Sequence, residues 1–101
     1  MIRADVFRAT LSIDEDTLEV WTASGWIVPA EDAGEPVYSD ADAARGRLIA
    51  ALQGDMGINE PGVGVILDLL DQIHGLRGTM RELMDGLAAQ PEEVRRAVLR
   101  R

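Results

Sequence analysis

The chain contains no cysteine, which excludes disulfides, thiolate metal sites and a cysteine nucleophile together and fits a reducing compartment. Lysine is absent too, so the positive side chains are arginines, with a single histidine, His74. Alone that histidine cannot build a metal site, and no cysteine is present to help it. No serine has a histidine–acid relay near it in sequence, and Gly62-Val63-Gly64 lacks the lysine and the strand-to-helix setting of a phosphate loop. Aromatics are few: Phe7, Trp21, Trp26 and Tyr38 all fall in the first 38 residues, so any aromatic-supported core lies there. The longest apolar run, "VGVILDLL", is eight residues with Asp68 inside it, against the roughly 20 needed to span a bilayer. No N-terminal segment has the charged-then-apolar shape of a signal peptide. These absences lead to the expectation of a cytoplasmic protein, not an enzyme, with no cofactor, no metal and no membrane partner.

At 101 residues with 47% hydrophobic residues, the chain is sized for one globular domain with a modest core. Its net charge is −8, unevenly spread. Residues 9–44 hold nine acids (Asp14, Glu15, Asp16, Glu19, Glu31, Asp32, Glu35, Asp40 and Asp42) and no base, whereas four of the ten arginines fall in the last seven residues. A surface that tracks phosphates needs clustered positive charge. The folded part offers the opposite, which suits solubility or a basic protein partner.

Local patterns predict the elements. "MIRADVFRAT" reads as a short helix with Val6 and Phe7 inward. In "SIDEDTLEVWTASG", Ser12 and Glu15 have the spacing of a capping box, acids fill the first turn, Leu18 and Trp21 share a face, and Gly25 supplies the stop. "WIVP" and "PVY" flank the turn-rich "AEDAGE" as a small hairpin or wing. Ser39 with Asp42 caps the next helix, which turns Ala44, Leu48, Ile49 and Leu52 inward and ends near Gly54-Gly57. Asn59 and Pro61 then open the last and longest helix.

That helix carries Ile66, Leu69, Ile73, Leu76, Met80, Leu83 and Leu87 at alternating spacings of three and four. Val63, Leu70 and Met84 widen the stripe, and Leu67 lies opposite. Gly75, Gly78 and Gly86 each cost on the order of 1 kcal/mol of helix propensity, so the stripe needs a partner to pack on. With little chain left to cover it beyond Leu76, the expectation is a homodimer whose seam includes Ile73, Leu76, Met80, Leu83 and Leu87. The expected organisation is a helix-turn-helix-like unit over 1–57, the long helix over 58–90, and a flexible tail over 91–101.

The order of pieces from Thr17-Leu18 through Gly25, Pro29 and Tyr38-Ser39 to the "EPGVGVILDLLDQI" helix opening resembles the winged helix-turn-helix of MerR-type regulators over about residues 1–88. Within that group the chain is most similar to the chaperone-modulator branch, the CbpM-like proteins, through that opening and the acidic turn after Ser12. The resemblance implies an all-α, MerR-like helix-turn-helix with a minimal β wing and a long C-terminal helix. It departs from the DNA-binding relatives at three phosphate-gripping positions. Glu19 follows the Thr-Leu pair where they have arginine, Glu31 stands two residues past the proline, and the wing reads "GEPVY". DNA binding by the chain is therefore unexpected. The implied partner is the J-domain of a DnaJ-like, CbpA-type co-chaperone, whose engagement of Hsp70 the CbpM-like proteins block; the other reading is a MerR-type DNA-binding transcriptional regulator. Candidate contacts for a basic J-domain helix are Asp68 and Asp71 on the long helix and Asp14, Glu15 and Glu19 on the first acidic one.

Overall fold

A computed structural model describes residues 1–100. By internal packing the chain divides into one unit over Met1–Val65 and a second from Ile66 onward. The first opens with a two-residue strand β1 (Ile2–Arg3) and helix α1 (Ala4–Leu11). Adjacent residues on a helix sit about 100° apart, so only one of two apolar neighbours can face the core. Phe7 takes that place and is completely buried, while Val6, expected inward, is exposed.

Helix α2 spans Glu15–Ala23. The expected capping box at Ser12 does not form, because Ser12 terminates α1: it adopts a left-handed conformation (φ 55°, ψ 43°) and donates its N–H to the Ala9 carbonyl at 3.2 Å. Asp14 caps α2 instead, accepting the Thr17 N–H at 2.8 Å. Two helices joined through this short turn make the helix-turn-helix. Gly25 ends α2 as expected, at φ +75°. Its N–H reaches the Thr22 carbonyl at 3.1 Å and that of Trp26 reaches the Trp21 carbonyl at 3.0 Å, a Schellman pair. Both flanking tryptophans are buried, and the Trp21 indole donates to Gln53 Oε1 at 3.1 Å.

The wing is a hairpin of β2 (Ala30–Asp32) and β3 (Glu35–Tyr38). Its first strand is therefore "AED" and not "WIVP". The turn chemistry explains the shift: Ala33 and Gly34 both have positive φ (53° and 79°), the two-residue turn that pairs the residues on either side, here Asp32 with Glu35. Trp26 and Ile27 are left free to enter the core. β3 is central, antiparallel to both β1 and β2, and places Tyr38 against Phe7 with ring centroids 4.1 Å apart.

Helix α3 (Asp40–Gln53) has the expected capping box, Asp42 N–H to Ser39 Oγ at 3.0 Å and Ser39 N–H to Asp42 Oδ2 at 2.9 Å. Its inward face is Ala43, Gly46, Ile49 and Leu52, whereas Ala44 and Leu48 face out. Gly46 suits this buried position, since a Cβ there would stand 2.5 Å from Leu11 Cδ1 and force the Leu11 side chain to shift.

Helix α4 runs Glu60–Ala88, with Asn59 Oδ1 accepting the Gly62 N–H at 2.8 Å. Val63, expected to widen the exposed stripe, is completely buried, and Leu67 is buried as well. α4 is not the last helix. The stretch expected to be a frayed tail contains α5 (Glu92–Leu99), preceded by Pro91, opened by two glutamates and bridged from Glu92 to Arg96 at 2.7 Å.

Candidate functional site

The outward surface of the helix-turn-helix is acidic. Glu15, Asp16 and Glu19 are exposed on α2, and Glu31, Asp32 and Glu35 are exposed along the wing. Arg3, on the neighbouring strand, is tied to the wing through Glu35 at 2.7 Å and Asp32 at 3.9 Å. The Arg45 Nε–H is turned onto the Trp26 carbonyl. Arg3 and Arg45 thus already have protein partners, and the nine-acid run contains no cation of its own. Asp14 is exposed and occupied as a helix cap. Hydrogen bonding from Thr17, its side chain first and its backbone N–H second, holds the Asp14 carboxyl below its ordinary range.

Two of the expected acids come together. Glu15 and Glu19, four residues apart on one helix face, line a groove of about 300 Å³ with Leu18, Arg8 and Tyr38. Burial pushes the Tyr38 phenol up from its ordinary value; the Asp42 carboxylate adds to that shift and the Arg8 guanidinium opposes it. Sequence patterns did not single out Arg8 or bring Tyr38 to this site, because their approach to α2 depends on the helical turn at Ser12 and on the pairing of β3.

The other expected acids, Asp68 and Asp71, occupy exposed positions of α4 in the second unit. The stripe residues Leu69, Ile73, Leu76, Met80 and Leu83 are also exposed. Met80, Leu83 and Leu87 line an apolar groove of about 530 Å³ whose other wall is Val94, Val98 and Leu99 of α5; Ile73 and Leu76 stand outside it. The α5 contribution was missed in the sequence, although the Val94–Val98 spacing after Pro91 and the glutamate pair carries a helical signal. Among the described residues no cluster of three or more acids or histidines is arranged to hold a metal ion, and no helix is long and apolar enough to cross a membrane.

No curated protein and no solved structure shows a significant match to this chain. The sequence profile of the MerR HTH family of regulatory proteins, by contrast, matches residues 2–85, a span that takes in the helix-turn-helix, the wing, α3 and most of α4. Because that match covers most of the chain, the chain belongs to the MerR helix-turn-helix family of regulatory proteins.

Proposed function

We propose that this chain is a cytoplasmic protein-interaction modulator that binds the J-domain of a DnaJ-like, CbpA-type co-chaperone and inhibits its stimulation of Hsp70, as the resemblance to CbpM-like proteins implies. One observation carries the reading: the exposed face of α2 and the wing bear acids, and no base occurs between Arg8 and Arg45. In a helix-turn-helix the same surface ordinarily meets phosphates. Every phosphate left without a cationic partner there keeps its counterion, and the affinity that counterion release would supply is forgone. An acidic surface of this kind attracts a basic helix and orients it, while apolar side chains beside the acids hold it. Titration of the protein into a J-domain-stimulated Hsp70 ATPase assay should return the rate to its unstimulated level. Full stimulation at large excess over the cognate co-chaperone would overturn the reading.

The functional form in this proposal is a homodimer joined through the exposed stripe of α4. A MerR-type DNA-binding regulator is the second reading, favoured by family membership and opposed by the charge of the recognition surface.

A further inference from the structure

The groove between α1 and α2 has a feature that acidity alone does not explain. Tyr38 is 2% exposed, yet its hydroxyl has no hydrogen-bond partner among the described residues. No described side-chain nitrogen or oxygen is both sealed from solvent and unpartnered, so the Tyr38 hydroxyl keeps part of the little exposure the residue has, and Tyr38 lines the groove. A nearly buried phenol without a partner is a hydrogen-bonding position left vacant by the fold.

We propose that this groove seats one basic side chain, a lysine ammonium or an arginine guanidinium, projected by the protein partner. Glu15 and Glu19 form its anionic rim, and their Cβ atoms, about 5–6 Å apart as i and i+4 on a helix, let one cationic head reach both carboxylates. Leu18 offers an apolar wall for the aliphatic stem, the arrangement that suits a side chain with a greasy shaft and a charged tip. The Tyr38 oxygen accepts a hydrogen bond from the same head. The charges that act on the phenol are the Asp42 carboxylate on α3 and the Arg8 guanidinium on α1; Glu15 and Glu19 on α2 line the same groove as Arg8. Two carboxylates to one guanidinium leave the groove negative, and Arg8 sets its selectivity by disfavouring a second cation beside the first.

The inference rests on the J-domain reading for its natural partner but not for its chemistry, so the test has two arms. In the first, three acetylated helical peptides that differ at one central position (lysine, arginine or norleucine) are titrated into the isotopically labelled full chain and followed by amide NMR shifts. The lysine or the arginine peptide should shift Glu15, Glu19 and Tyr38 saturably and the norleucine peptide should not, the stronger of the first two identifying the head group. In the second arm, calorimetry with the cognate J-domain compares the unmodified protein with Glu19→Gln, Tyr38→Phe and the wing control Glu31→Gln. Removal of a charge-assisted hydrogen bond predicts about tenfold weaker binding for Glu19→Gln and a few-fold loss for Tyr38→Phe, with Glu31→Gln changed less than about twofold. Tyr38→Phe removes a hydroxyl that has no partner in the protein, so its thermal midpoint should stay at the parent value. Equal shifts from the norleucine peptide, or J-domain binding at parental strength by both groove variants, overturns the groove. Basic-peptide binding with no J-domain binding leaves the groove standing and removes the J-domain reading.

Discussion

If the proposed homodimer forms through α4, replacing Leu76 and Leu83 with aspartate should convert it to a monomer without unfolding the first unit. In the single chain these two leucines are 69% and 64% exposed, so about two-thirds of each side chain remains to be buried by association. Full burial of a leucine is worth about 1.5–3 kcal/mol, which puts the loss at roughly 1–2 kcal/mol per side chain. With both positions changed on both protomers, the seam is weakened by roughly 4–8 kcal/mol, or about three to six powers of ten in the dissociation constant. Bringing carboxylates into an apolar seam adds a desolvation cost to that figure. In the monomer Leu76→Asp meets solvent and costs only helix propensity, about 0.5 kcal/mol, whereas Leu83→Asp also disturbs the groove shared with α5, which lies within the second unit. Sedimentation equilibrium should therefore halve the mass, while the fluorescence of Trp21 and Trp26, both buried in the first unit, keeps its native spectrum and urea midpoint. If the unmodified protein already sediments as a monomer at high micromolar concentration, the dimer reasoning is refuted.

Fluorescence anisotropy with random duplex DNA should stay flat even at low salt, where phosphate attraction is strongest; saturable micromolar binding would return the regulator reading to first place. Ser39→Ala removes the capping box of α3 and should lower the unfolding free energy by about 0.5–2 kcal/mol in urea titration; an unchanged midpoint would show that the cap contributes nothing. The folded-state pKa of Asp14 is lowered, so its stabilising effect is present above the ordinary aspartate value, about 3.9, and disappears as pH falls through the lower folded value. Asp14→Ala should accordingly be less stable than the parent at neutral pH, with the gap closing in acid; a gap that is constant from pH 7 to pH 2 contradicts the assignment.

Features set by neighbours in sequence were legible without a structure. The Gly25 stop, the Ser39–Asp42 box, the Asn59 cap and the Ile66–Leu87 stripe all depend on interactions within about four residues along a helix. The charge argument likewise needs no coordinates, since a run with nine acids and no base is acidic in any fold. Choices between equally plausible neighbours were not legible. Phe7 goes inward over Val6 because Tyr38, 31 positions away, supplies the ring it stacks on. Ser12 ends one helix where local pattern has it begin the next, and Gly46 packs against the Leu11 side chain of α1. The hairpin register follows from two positive-φ residues that composition alone does not place. The groove that gathers Arg8, Glu15, Glu19 and Tyr38 from α1, α2 and β3 belongs wholly to tertiary structure, because no local rule brings a strand residue beside a helix face so much earlier in the chain.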